Sequence, residues 1–164
     1  MHTDIRPAVA GDAAAIAALY NHYVLHTAIT FEEEAVAAAD IGARLAKVAA
    51  AGLPWLVAER DGELLGYAYA TPWRERAAYR HSVESSVYLS PAAAGQGLGS
   101  RLYGVLIDNL RAQGRHAVIA GIALPNAASV ALHERCGFVP VARFAEVGRK
   151  FDRWIDVGYW QLLL

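Results

Sequence analysis

One cysteine, one methionine and six prolines in 164 residues leave several architectures without their materials. Cys136 has no partner for an internal disulfide, which excludes the small disulfide-stapled folds and the usual cysteine-based zinc sites. Hydrophobic residues make up 55% of the chain, inflated by alanine, yet no uninterrupted apolar run approaches the ~20 residues of a membrane-crossing helix. Charge of one sign is also missing. Fifteen basic and 16 acidic side chains leave a net charge of -1, and the basic ones are scattered, so nothing argues for a nucleic-acid partner. MHTDIRPA carries charge with no apolar core behind it; no secretory leader is expected, and the cytoplasm is the expected compartment. No repeat, linker or low-complexity tail stands out. The expectation is one soluble domain, 1–164, long enough to bury a real core.

The pattern along the chain is mixed α/β. Thr3 to Pro7 reads as a short strand, after which Asp12 is placed to cap a helix with Ile16, Leu19, Tyr20, Tyr23 and Val24 on one face. His22 and His26 lie one turn apart, but no Glu follows His22 as a zinc-protease helix requires, and no metal is expected. A second helix is predicted from Val36 to Ala50 with Ile41, Leu45 and Val48 inward. Trp55 to Glu59 and Leu64 to Thr71 form an antiparallel pair about Asp61-Gly62. The polar PWRERAAYR stretch leads into a central strand, His81 to Leu89, whose alternation sets Val83, Ser85, Val87 and Leu89 on one face and Glu84, Ser86 and Tyr88 on the other. A helix follows with Leu98, Leu102, Val105, Leu106 and Leu110 on its core stripe, and its Gly104 suggests close packing. Ala117 to Leu124 is an all-apolar strand that should run parallel to the central one. A shorter helix from Asn126 to Gly137 and two strands, about Phe138 to Val147 and Trp154 to Leu162, complete the chain.

Between the central strand and its helix lies SPAAAGQGLGS. Gly95, Gly97 and Gly99 have no side chain to hold a phosphate away, and a helix N-terminus offers unpaired N–H groups and partial positive charge. The stretch reads as an anion seat or as a plain turn. A dinucleotide fingerprint needs glycine, and a P-loop lysine, where this chain has Ser100, so both common nucleotide readings weaken.

With that loop followed by NAASVALHERCGF, the chain resembles the GNAT superfamily of acetyl-coenzyme A dependent N-acetyltransferases. NHYV with Phe31 downstream, PWLVAERDGE, TPWRERAAYR, VESSVYLSP, GLGSRLY, ALPNAASVALHE and DVGYWQL resemble its phosphinothricin and methionine sulfoximine acetyltransferase branch over nearly the whole chain. The resemblance implies the GNAT fold, a mixed central sheet of about six to seven strands flanked by about four helices. It also implies acetyl-coenzyme A as cosubstrate, a small amino-acid-like acceptor and a homodimer. Two positions depart from the wider family: Ala94 stands where Gln or Arg is usual, and His133 replaces the helix tyrosine, as it does in the branch.

Moving an acetyl group to an amine requires a proton acceptor, a stabilised oxyanion and a proton for the leaving thiolate. Glu84, mid-strand, reads either as a structural carboxylate or as the general base, and the resemblance selects the base. His133 is the candidate acid or a structural histidine. By resemblance, the main chain at Val87, Tyr88 and Leu89 faces the acyl arm, with the oxyanion donor near Tyr88 or Leu89. Gly95, Gln96, Gly97, Gly99 and Ser100 cradle the pyrophosphate, and Asn126 and Ser129 face the pantetheine, Asn126 also being suited to cap its helix. Arg74, Arg76 and Arg80, interleaved with Trp73 and Tyr79, are either solvated loop cations or carboxylate ligands for the acceptor; Phe31, Tyr23 and Trp73 read as pocket walls or as core aromatics. Another acceptor amine, such as a peptide N-terminus or a polyamine, and a noncatalytic acyl-coenzyme A binding module are the competing readings. Clustered arginines would repel a polycation, and retention of Glu84 argues against the noncatalytic module.

Overall fold

The structure is a computed structural model that describes residues 2–164. Seven strands form one sheet in the order β1-β2-β3-β4-β5-β7-β6: β1 Asp4–Pro7, β2 Trp55–Arg60, β3 Glu63–Pro72, β4 Ser82–Leu89, β5 Ala117–Ala123, β6 Val139–Lys150 and β7 Arg153–Leu163. Four helices flank it: α1 Ala13–His26, α2 Ala38–Ala50, α3 Leu98–Ala112 and α4 Ala127–Arg135. The strand count, helix count and mixed architecture match the expected fold. Only β4 and β5 are paired in parallel, the other neighbours being antiparallel.

Side-chain alternation on β4 separates the two layers. Tyr88 points to the α1 face, its ring 5.2 Å from Tyr20 and 5.3 Å from Tyr23. Ser85 points to the α3 face, its hydroxyl 3.2 Å from that of Tyr103. Ile16, Val24, Val57, Val83, Leu102, Leu106 and Val118 are fully buried between these layers. Burying a side chain of this kind is worth about 1.5–3 kcal/mol relative to exposing it, so the core that fixes β4 is large compared with any one polar contact at its edge.

Several local expectations shift. Asp12 does not cap α1 through its side chain; its carboxylate takes Arg6 at 2.8 and 2.9 Å and the Val9 N–H at 2.8 Å, closing the one-turn 3₁₀ helix Ala10–Asp12. Val36 is buried but precedes α2, because Asn21 holds both its N–H and its carbonyl. Val105 is exposed and the core stripe of α3 runs instead through Leu98, Gly99, Leu102, Tyr103, Leu106, Ile107 and Leu110; the helical twist carries it toward Tyr103. Nor does Gly104 mark a close approach, since a Cβ there would meet nothing within 4 Å.

Candidate active site

The site begins where two neighbouring strands part. β4 and β5 pair only at Ser82↔Ala117, Val83↔Val118 and Glu84↔Ile119, while β4 stays paired with β3 as far as Leu89. Antiparallel residues alternate between hydrogen-bonded and non-hydrogen-bonded pairs. The Ser90 N–H on the Leu65 carbonyl (2.8 Å) and the Trp73 N–H on the Ser82 carbonyl (3.3 Å) fix that alternation. Even-numbered β4 residues therefore bond to β3, and Val87 and Leu89 direct their main chain into the opening toward β5. Tyr88, considered above for the same duty, has its N–H and carbonyl in the β3 ladder, and its ring belongs to the core. The Leu89 carbonyl accepts the Tyr23 hydroxyl, which leaves the Val87 and Leu89 N–H groups facing the wedge. Ser85, Tyr103, Gly121, Ile122, Asn126, Ser129 and His133 line its interior.

The glycine loop lies at the end of β4. Gly95 and Gly97 take φ of +75° and +76°, a left-handed conformation that disfavours other residues by roughly 1–2 kcal/mol. These two turns aim successive N–H groups outward. Among the described residues no main-chain carbonyl accepts from any N–H between Gly95 and Ser100, so the first turn of α3 and the loop before it present a row of unmatched donors at the positive end of a helix dipole. Gln96 folds its side chain back onto the Ala92 carbonyl at 2.9 Å. The exposed Ala94 stands beside this seat without obstructing it.

Asn126 does cap α4, its Oδ1 accepting from the Ser129 N–H at 3.1 Å, and both residues lie on the wedge. His133, one turn on from Ser129, is buried. Its Nδ1 lies 2.7 Å from the Ser129 carbonyl, so Nδ1 carries the proton, and Nε2 accepts from the Tyr103 hydroxyl at 2.7 Å. Burial lowers the imidazole pKa below the ordinary histidine value. These contacts make His133 a link between α3 and α4 through Tyr103 and Ser129, with Nδ1–H directed at a carbonyl and away from the wedge.

Glu84 lies at the last paired position of β4 and β5, half-buried on the α1 face. Burial raises its pKa above the ordinary glutamate value, and the Arg74 charge opposes the rise. Beside it opens a cavity of about 950 Å³ that includes Thr71, Trp73, Arg74, Arg76, Tyr69 and Arg44 in its lining. The Arg74 guanidinium stacks 4.6 Å from the Trp73 ring centroid. Arg80 is not brought to this cavity; it donates to the Ala77 carbonyl at 3.1 Å. Phe31 is also outside it, packed over Gly148 of β6. Sequence patterns missed Tyr103, Arg44, Ile29 and Tyr159. Tyr103 falls one turn after Gly99 on the face of α3 toward the wedge, a spacing the core stripe disguised; the Tyr159 ring stands edge-on to Trp73, 6.0 Å between centroids.

A donor row at a helix start, a wedge with free strand N–H groups and a half-buried carboxylate at the last pair before it suit an acyl-transferring domain of the kind that takes a phosphate-bearing thioester. The chain belongs to the GNAT acetyltransferase family: the model of the acetyltransferase (GNAT) domain matches residues 5–158. It is 45% identical over 163 residues to an L-methionine sulfoximine/L-methionine sulfone acetyltransferase of Salmonella typhimurium, covering 98% of this chain and 94% of the relative. It is 49% identical over 151 residues to a phosphinothricin N-acetyltransferase of Alcaligenes faecalis, covering 92% and 77%. Among solved structures, a phosphinothricin acetyltransferase of Sinorhizobium meliloti in complex with acetyl-coenzyme A superposes with a TM-score of 0.96 at 37% identity, covering 100% of this chain and 89% of that one. The protein is thus an acyltransferase of this family. Among the described residues no helix is long and apolar enough to cross a membrane.

Proposed function

We propose that the protein transfers an acetyl group from acetyl-coenzyme A to the α-amine of a small amino-acid analogue such as phosphinothricin, methionine sulfoximine or methionine sulfone. The single observation that carries this reading is the parting of β4 and β5 at Glu84, which puts free N–H groups of Val87 and Leu89 on one side of a proton acceptor and the arginine-lined cavity on the other. The donor row from Gly95 to Ser100 suits a pyrophosphate, and the wedge lined by Asn126 and Ser129 suits the pantetheine arm. When bound, acetyl-coenzyme A supplies an activated thioester carbonyl.

Glu84 takes the proton of the incoming ammonium, directly or through one water, at a carboxylate whose pKa burial raises above the ordinary glutamate value. The N–H groups of Val87 and Leu89 receive the charge that develops on the carbonyl oxygen. Arg74 and Arg76 hold the acceptor carboxylate, a planar bidentate task for which guanidinium is suited. Attack is direct. Half-buried Cys136 has its thiol pKa raised by burial, the opposite of an activated nucleophile. The protein works as a homodimer in this reading. Val139, Val141, Phe144, Val147 and Trp154 on the outer hairpin are all more than half exposed, an apolar surface suited to a second copy; equilibrium sedimentation reads it directly.

Thiol release from acetyl-coenzyme A tests the acceptor. Methionine sulfoximine, methionine sulfone and phosphinothricin should each turn over, with ordinary amino acids, a peptide and a polyamine far behind. Preference for the polyamine or the peptide would replace this reading, and tight cofactor binding with no turnover at all would favour a noncatalytic module.

A further inference from the structure

Lys150, at the end of β6, is only 2% exposed and has no part in the chemistry above. Its Nζ donates to three main-chain carbonyls, those of Val24 at 2.7 Å, Thr30 at 2.8 Å and Glu32 at 2.7 Å. An ammonium has three donors and no acceptor, so the group is saturated, and among the described residues no main-chain N–H donates to any of the three carbonyls. The Val24 carbonyl belongs to the last turn of α1, where carbonyls run out of intrahelical donors.

The other two carbonyls belong to residues 27–33, a strap between α1 and α2. The strap is fastened elsewhere as well. The Thr30 hydroxyl lies 2.7 Å from that of Tyr20, and the Glu32 carboxylate takes Arg44 at 2.5 and 2.9 Å and the Tyr20 hydroxyl. One of its apolar residues reaches the site and another packs on β6. Ile29 lines the wedge beside Ser86 and Tyr88, which share a face of β4 with Glu84. The Phe31 ring occupies the space that a Cβ at Gly148 would fill, two residues before Lys150 on the same strand. Thr30, the middle carbonyl, sits between these two.

We propose that Lys150 is a positioning residue for the acceptor: by gathering the carbonyls of Val24, Thr30 and Glu32 it fixes the 27–33 strap, and so holds Ile29 as the wall of the wedge on the Glu84 side. This rests on the reading of that side as the acceptor site. Lys150 touches no reacting atom. It governs acceptor affinity and leaves the cofactor seat, built on β4, α3 and α4, unaffected.

The test pairs Lys150→Met, which keeps the length of the side chain and removes all three donors, with the milder Lys150→Gln. Thermal melting first establishes that a variant is folded. In a folded variant the acceptor KM should rise roughly fivefold or more, as expected from leaving buried carbonyls unpaired, while the KM for acetyl-coenzyme A and the kcat stay within about twofold of the unmodified enzyme. Amide exchange should quicken roughly tenfold in the 27–33 strap and hold steady in the 95–100 loop. A folded variant with unchanged acceptor KM and strap exchange overturns the proposal, as does an equal loss for both substrates or a failure of both variants to fold. If the unmodified protein turns over none of the acceptors, the functional reading falls by itself, and strap exchange still decides what Lys150 holds.

Discussion

Replacing Glu84 with glutamine keeps the shape of the side chain and removes its proton-accepting charge. The residue is half-buried between Thr71 on β3 and Ile119 on β5, with Arg74 as the cation that acts on it. A positioned general base contributes about 10²–10⁴-fold, or roughly 3–5 kcal/mol of barrier, so kcat in Glu84→Gln should fall by at least about a hundredfold. In the proposed reading the 95–100 loop and α4 hold acetyl-coenzyme A, so its affinity by calorimetry should be unchanged. The sign of the pH effect follows from burial. A carboxylate with raised folded-state pKa disfavours ionisation in the folded protein, so its contribution to stability is full below the unfolded pKa and is lost as pH rises through the folded one. The unmodified enzyme therefore bears at neutral pH a cost that Glu84→Gln relieves, and the variant should melt no lower. In the unmodified enzyme kcat/KM should fall as pH drops through the Glu84 pKa. Arg74→Gln, by removing the charge that opposes the shift, should move that limb to higher pH. Full turnover by Glu84→Gln at neutral pH, or a parallel loss of cofactor affinity, would refute this reasoning.

Further substitutions probe the surroundings. Val87→Pro deletes an N–H that faces the wedge and spares the β3 ladder, a position where a strand tolerates proline; kcat should fall about 10²–10³-fold, the cost of an oxyanion donor, with circular dichroism unchanged. In Arg74→Gln and Arg76→Gln, steady-state kinetics should show a higher KM for amino-acid acceptors and little change in the KM for acetyl-coenzyme A, whereas substitution of Arg80, turned onto the Ala77 carbonyl, should leave both alone. Tyr103→Phe leaves the buried Nε2 of His133 without a donor and should lower unfolding free energy by about 1–3 kcal/mol in a urea titration.

The layers of the fold were legible because hydrophobic periodicity is a local property, and the motif order carried the family. The parting of β4 from β5 was not, since no residue type in VESSVYL marks where a parallel neighbour stops pairing. Only the register, with Glu84↔Ile119 as its last pair, assigns the wedge to Val87 and Leu89 and returns Tyr88 to the core. Tyr103 escaped notice because an aromatic on a core stripe reads as packing, and its hydroxyl acquires meaning only once α4 brings His133 within 2.7 Å. The arginine cluster was visible as a run of charge, but a run cannot show which members turn inward. Lys150 was invisible as well. Its three acceptors are carbonyls at least 118 positions away in the chain, and carbonyls are common to every residue.

A two-substrate initial-rate study with acetyl-coenzyme A and methionine sulfone tests direct transfer across the wedge, with thioester and amine present together. Reciprocal plots should intersect, because both substrates must be bound before acetyl moves. Parallel lines would mean that acetyl rests on the protein between half-reactions, contradicting Glu84 as the base for a directly attacking amine.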